Sequence, residues 1–127
     1  MDRISLTTPA SEAFVPILRS MTAAVAARLE IPYDEVDDLR LAIDEAVAHL
    51  IGLEPRGSTI ALEMLVSEER FEVAASVDTL PDPWPQEGID QTLTWQILKG
   101  LTDETSFEHA GGRAQIRFVK LVQRVKA

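Results

Sequence analysis

Alternating apolar and polar residues predict five short β-strands in this chain, and longer stretches with helical spacing predict three α-helices. Strands are predicted at residues 4–7, 60–66, 71–77 and 114–122 and around Phe107. Helical spacing covers residues 11–29, a second segment that ends near Gly52, and a third that carries Leu93, Ile97, Leu98 and Leu101. The predicted order is therefore strand, two helices, two strands, helix, two strands.

This order predicts an α+β fold, a two-layer sandwich in which helices cover one face of a mixed, mainly antiparallel sheet. We expect a single domain over residues 1–127, a length that supports one hydrophobic core. Asp34 is the predicted N-cap of the second helix. The predicted core positions of the first helix are Phe14, Ile17, Leu18, Met21, Val25 and Leu29.

The second helix has two chemically distinct faces. Glu45 and His49 lie one helical turn apart on one of them. Their neighbours on that face are small or apolar: Leu41, Ala42, Ala48 and Gly52. A carboxylate and an imidazole in such surroundings indicate that something other than bulk water covers them. The opposite face is an apolar stripe expected to meet the core, made of Val36, Leu39, Ile43, Val47 and Leu50.

Residues 42–49 read Ala-Ile-Asp-Glu-Ala-Val-Ala-His. This segment resembles the first motif of the anti-sigma factor kinases, small members of the GHKL (Bergerat) ATPase superfamily, which typically reads Ala-Val-Ser-Glu-Ala-Val-Thr-Asn. The predicted order of elements is similar to that of the whole family domain. The resemblance therefore implies the histidine-kinase-like ATPase (Bergerat) fold over nearly the full chain, and residues 39–45 resemble the divergent actinobacterial members in particular.

The resemblance implies roles for three residues. Glu45 falls on the family's glutamate, which is the general base in active members. His49 stands where the family has an asparagine whose carbonyl oxygen binds Mg²⁺, and an imidazole nitrogen is a poor ligand for this hard ion. Asp78 falls on the aspartate that contacts adenine, with a simple turn role after a strand as the alternative. His49 and Asp78 are thus the predicted nucleotide-binding residues.

The glycines of the family's nucleotide motifs are missing here. A proline-rich segment (residues 78–85) with Trp84 follows the third predicted strand, and the third helix begins with Thr92 or Thr94 as its N-cap. Trp95 is read as core packing or as a plug where phosphates would lie. Trp84 either packs back onto the domain or is an exposed anchor for a partner. We expect binding of ATP or ADP with Mg²⁺ to be weak or lost, so that Glu45 is catalytic only if kinase activity persists.

The implied function is that of an anti-sigma factor. Such a protein binds a sigma factor, keeps it from RNA polymerase, and releases it when an anti-anti-sigma protein with a STAS domain competes. Binding needs a surface rather than chemistry, so this role survives a damaged nucleotide site. The family also implies a homodimer. One alternative is an active ATP-dependent protein serine kinase that phosphorylates the STAS-domain antagonist, and another is a dimerisation or sensor module without a sigma partner.

Charge and composition narrow the choice of partners. The formal net charge of −9 disfavours nucleic acid but would accelerate the encounter with a basic protein. The chain has no cysteine, no signal peptide and no apolar run of membrane-spanning length, which predicts a cytoplasmic location away from membranes. Glu45 and His49 with Asp44 are an alternative metal site. Because only His109 remains as a further nitrogen ligand, we predict no metal.

Overall fold

The computed structural model describes residues 1–122. Five strands and three helices follow in the predicted order, with short 3₁₀ turns before the first helix and before the third. None of these helices has the length and apolar character that crossing a membrane requires. The elements are β1 (Asp2–Pro9), α1 (Val15–Arg28), α2 (Tyr33–Ile51), β2 (Thr59–Val66), β3 (Arg70–Val77), α3 (Leu93–Leu101), β4 (Glu104–Ala110) and β5 (Arg113–Leu121).

The five strands form one sheet in the order β1-β2-β3-β5-β4, and all four pairings are antiparallel. The prediction of a mixed sheet was therefore wrong in this detail, while the two-layer α+β class is confirmed. The reason lies in the connections. Two helices between β1 and β2 return the chain to the end of the sheet that it left, so β2 runs back along β1. The single helix between β3 and β4 would give a parallel pair, but β5 inserts between these strands.

Helix α2 is the centre of the helical layer. Its predicted apolar stripe is confirmed, because all five residues are at most 5% exposed. Helix α1 packs along one flank of α2 and α3 along the other. Two predictions about the helices were wrong: Ile17 in α1 is 49% exposed, and Asp34 lies inside the first turn of α2, whose N-cap is Pro32. Helical spacing alone does not decide which of two adjacent apolar residues is buried. In the structure Leu18 is buried in the core and Ile17 is not.

Lys120 of β5 lies between the start of α2 and the end of α3. Its ammonium lies 3.0 Å from a carboxylate oxygen of Glu35, at the start of α2, and 4.0 Å from Asp103, just after α3. Burial of the ammonium opposes protonation, but the carboxylates of Glu35, Asp103 and Asp38 outweigh it and raise the pKa of Lys120. The end of α3 is thereby held beside the start of α2, so the two helices are antiparallel.

The sheet face away from the helices carries a charged network. Arg117 donates to Glu108, which raises the pKa of the arginine, and to Glu72 at 2.7 Å. Arg70 bridges Glu72 and Glu104. Val119 lies on the same face, opposite Glu72, and is 1% exposed. The network links β3, β4 and β5 across this face of the sheet.

Asp78 anchors the end of β3 to the start of β2. Its carboxylate accepts hydrogen bonds from the amides of Ser58 (2.6 Å) and Thr59 (2.9 Å) and from the Ser58 hydroxyl. The Ser58 hydroxyl is the main cause of the strongly lowered pKa of Asp78, followed by the Thr59 amide. Gly57 packs directly against this anchor.

Replacing Gly57 by alanine is expected to lower the free energy of unfolding by about 1–3 kcal/mol. An added Cβ would overlap Cγ2 of Val77 and lie 2.6 Å from Oδ1 of Asp78, so the anchor would have to shift. Urea unfolding measures the change. The control is G100A, in helix α3, where an added Cβ meets nothing within 4 Å and should increase stability by up to about 1 kcal/mol. Equal stability of G57A and wild type would contradict the close packing described.

The substitution Asp78→Asn should make stability less dependent on pH in the acid range. The folded-state pKa lies below the ordinary value of 3.8, so between the two values the unfolded chain binds more protons and acid favours unfolding. The anchor therefore contributes in full above about pH 5 and weakens as the pH falls below 3.8. Urea unfolding of both proteins from neutral to acid pH should show the difference between them shrinking. A difference that stays constant across this range would refute the assignment.

Candidate functional site

The candidate site lies on the flank of α2 that faces α3. The apolar stripe of α2 meets the sheet, and α1 covers one of its flanks. Glu45 and His49 lie on the opposite flank and point toward α3 and the residues before it. Both side chains are partly buried. They meet α3 and the β3–α3 connection (residues 78–92), which contains the proline-rich segment. These contacts cover Glu45 and His49 in part, as predicted, but the rest of the predicted dry face is not covered: Leu41, Ala48 and Gly52 are exposed.

Glu45 is held by the first turn of α3. Its Oε1 accepts a hydrogen bond of 2.9 Å from the hydroxyl of Thr94. Thr92, not Thr94, is the N-cap of α3, because its hydroxyl oxygen accepts from the amide of Trp95 at 3.2 Å. Thr92 therefore has the predicted capping role at the start of the helix, while Thr94 has a role that was not predicted and engages the carboxylate.

His49 is enclosed by aromatic rings. Its ring centroid lies 5.6 Å from that of Phe107 in an edge-on arrangement and 6.1 Å from that of Trp84. Its Nε2 lies 3.3 Å from the Oε1 of Gln86, which makes the histidine the donor. The imidazole is therefore packed and hydrogen-bonded within the protein, which leaves it poorly placed to coordinate an ion.

Trp84 is the side chain that closes this region. It is 5% exposed, and its ring stacks on Phe107 with 5.6 Å between centroids and an interplanar angle of 27°. Its Nε1 donates to the backbone carbonyl of Glu108 at 2.8 Å, and Nε2 of His109 donates to its carbonyl oxygen. The first of the two predicted fates of Trp84, packing back onto the domain, is therefore the one observed.

Trp95 has a secondary role in the same cluster. It is partly buried, 5.7 Å from the ring of Phe107, and the ammonium of Lys99 lies 5.7 Å from its centroid. Of the two predicted roles, core packing fits these contacts.

Sequence reasoning did not single out four participants: Gln86, Thr94 as a partner of Glu45, Phe107 and the Glu108 carbonyl. A buried aromatic on a predicted strand gives no sign that it faces a loop, and a backbone carbonyl gives no sign at all. The strand around Phe107 was predicted, and in the structure this residue pairs with Ile116 of β5. Only the density of aromatic residues near the connection could have suggested the cluster.

Asp78 does not join Glu45 and His49 through any contact described among residues 1–122. Its carboxylate is engaged by Ser58 and Thr59 at the other end of the connection. The predicted role as a turn residue accounts for these contacts, while the predicted contact with adenine stays a prediction.

The residues present do not suit Mg²⁺ held at a nucleotide. Mg²⁺ prefers oxygen ligands, whereas His49 offers a nitrogen, and its Nε2 is already hydrogen-bonded to Gln86. Oε1 of Glu45 is hydrogen-bonded to Thr94. Within residues 1–122 no group of three or more metal-ligating side chains converges. Asp44, the third member of the alternative metal site, points to the α1 side, where it accepts from Arg19 at 2.8 Å. Among the described residues, every buried side-chain nitrogen or oxygen has a hydrogen-bond partner, so no buried donor or acceptor is left facing a missing ligand.

Comparison with known proteins identifies relatives of this chain. No protein-family model matches it. The serine-protein kinases RsbW of Bacillus pumilus and Bacillus subtilis are 31% and 32% identical to it over 78 and 75 residues, which are 58% and 57% of this chain. The aligned region covers 48% and 47% of those two proteins, so the chain matches about half of their length.

A solved structure shows the same fold. The crystal structure of the RsbU and RsbW domains of Rv1364c from Mycobacterium tuberculosis superposes with a TM-score of 0.73 over 99% of this chain and 34% of that one, at 14% identity. The resemblance predicted from the second helix is thus confirmed: the chain is a relative of the RsbW serine-protein kinases and has the histidine-kinase-like (Bergerat) fold.

Proposed function

We propose that this protein is an anti-sigma factor that acts by binding and has lost efficient phosphoryl transfer. In this role it sequesters a sigma factor and releases it when a STAS-domain antagonist competes for the protein. The proposal is supported by the similarity to RsbW proteins and by a site whose groups are engaged within the chain. A homodimer, as the family resemblance implies, is part of the proposal.

One observation carries the loss of catalysis: the groups needed for chemistry bind other groups of the same chain. A general base needs the proton of its reactant within hydrogen-bond distance. Glu45 instead accepts a hydrogen bond from the hydroxyl of Thr94, 2.9 Å away. Phosphoryl transfer also requires Mg²⁺ and phosphate-binding groups in place. His49 is packed against Phe107, and the amide of Trp95 at the start of α3 bonds to Thr92.

The charge supports a protein partner. With a formal net charge of −9, the surface attracts a basic protein and repels nucleic acid. Electrostatic attraction raises association rates more than it raises affinity. A sigma factor free of DNA is the class of partner that the resemblance implies, and binding it needs no reaction at Glu45.

A second candidate is an active protein serine kinase. It is favoured by the similarity to proteins named as serine-protein kinases and by the presence of Glu45 at the motif position. Two measurements distinguish the candidates: the affinity for Mg-ATP, and the effect of replacing Glu45 on the inhibition of transcription and its reversal.

Mg-ATP should bind wild-type protein with a Kd weaker than about 100 µM, because no group of three or more metal-ligating side chains converges within residues 1–122. Titration calorimetry measures this directly. The variant H49N, which restores an amide oxygen at the family's position, should gain less than about tenfold in affinity, since Trp84 still fills the space beside it. Micromolar binding of Mg-ATP by wild type, with transfer of labelled phosphate to a STAS-domain protein, would establish the kinase instead.

The substitution Glu45→Gln should leave inhibition of transcription unchanged. Purified RNA polymerase core enzyme is combined with each sigma factor of the source organism, and transcription is measured with increasing amounts of wild type or E45Q, without nucleotide preincubation. We expect one sigma factor to be inhibited equally by both proteins. The glutamine keeps the size of the side chain and still accepts from Thr94. Inhibition of none of the sigma factors would refute the proposed function, and reversal by antagonist that requires ATP and Glu45 would favour the kinase.

A further inference from the structure

Trp84 sits in the structure as a ligand sits in a binding site. It belongs to an exposed stretch of the β3–α3 connection: Asp82 and Pro83 before it are exposed, as are Glu87 and Gly88 after it. The indole of Trp84 is the most deeply buried side chain of this stretch, at 5% exposed, while Pro85 and Gln86 directly after it are half-buried. A single buried ring on an exposed segment contributes contacts that a free ring of the same kind could reproduce.

The walls of the cleft that holds this ring come from elsewhere in the fold. Phe107, on β4, stacks against one face of the indole, and His49, on α2, lies 6.1 Å away and tilted by 45°. Strand β4 is an edge strand of the sheet, and its Glu108 carbonyl accepts the indole N–H at 2.8 Å. The backbone of each wall therefore belongs to the sheet or to α2, and the His49 ring is in addition hydrogen-bonded to Gln86 of the connection.

The chemistry of these walls defines a ligand class. Phe107 requires a flat ring, because offset stacking depends on planarity. The Glu108 carbonyl requires an N–H donor on the edge of that ring, since it can only accept. His49 adds a tilted aromatic ring beside the indole, a contact that another aromatic ring could make. A planar bicyclic heteroaromatic compound with one N–H group satisfies all three.

We infer that His49, Phe107 and the Glu108 carbonyl form a binding cleft for planar N–H heteroaromatic rings, which Trp84 occupies as an internal ligand. The inference deepens the proposed function, because Trp84 in the cleft holds the connection closed over the flank that carries Glu45. Release of the ring would remove the contacts that hold the middle of the connection against Phe107 and the edge of the sheet. Free rings of this class compete with Trp84 at a disadvantage, because a tethered ligand has an effective concentration of the order of millimolar.

The variant W84A tests the cleft with indole as the probe. It should lower the thermal midpoint by roughly 10 °C or more, because a large buried side chain is removed. Indole should bind W84A and raise its midpoint by several degrees at about ten times its Kd. Wild type should bind indole at least about tenfold more weakly than W84A. Calorimetric unfolding and titration calorimetry measure both effects.

Benzofuran, which has the shape of indole but no N–H, is the matched probe. It should bind W84A about fivefold more weakly than indole, the effect of one hydrogen bond. The control variant is W95A, which removes a ring that also contacts Phe107; it should show no preference for indole over benzofuran. Equal binding of the two probes to W84A, or no binding of either, would overturn the inference.

A second measurement does not depend on the folding of W84A. In the variant W95F, Trp84 is the only tryptophan of the chain. Its fluorescence should be quenched by acrylamide several-fold less efficiently than that of N-acetyltryptophanamide, because the ring is enclosed. Quenching at the rate of the free compound would overturn the inference. Indole binding by W84A together with absent sigma inhibition would instead keep the cleft and reject the proposed function alone.

Discussion

The burial of helix α2 on three sides is the constraint from which the rest of the structure follows. Its apolar stripe must meet the sheet, because five large side chains of that stripe leave water together. Helix α1 covers one flank and forms the Arg19–Asp44 ion pair across it. The remaining flank carries Glu45 and His49, and α3 with its preceding connection packs there. Ionisable groups on this flank need partners from the chain itself.

The partners that the chain supplies determine what the flank can do. A hydroxyl at Glu45 satisfies the carboxylate as water would, but it also fixes the start of α3 beside α2. The aromatic rings around His49 exclude water and hold the connection against the edge of the sheet through Trp84. Covering an edge strand limits unwanted pairing with other chains. The same contacts that close the flank to a reactant therefore stabilise the fold that a binding surface requires.

Periodicity predicted the elements and the inner faces well, because both follow from local spacing. The stripe from Val36 to Leu50, the alternation of β2 and β3 and the order of elements are all local properties of the sequence. Periodicity failed at Ile17, where two adjacent apolar residues could each have faced the core. It also could not predict that β5 lies between β3 and β4, because that pairing depends on strands distant in the sequence. The site was half predictable. Helical spacing placed Glu45 and His49 together. Their partners are distant in the sequence, because Thr94 is 49 positions from Glu45 and Phe107 is 58 positions from His49, so only the tertiary fold brings them into contact.

The position of Glu45 shows why a motif residue and a motif function are separable. A general base contributes to catalysis only when a reactant lies within reach and the transition-state charge is stabilised. A carboxylate that links two helices contributes to stability whether or not a nucleotide ever binds. With Thr94 as its donor, Glu45 has a structural reason to be a glutamate, so its presence alone does not argue for phosphoryl transfer. Phosphoryl transfer depends instead on groups that would hold Mg²⁺ and phosphate. Here His49 is engaged in packing, and the capped start of α3 is engaged in local hydrogen bonds.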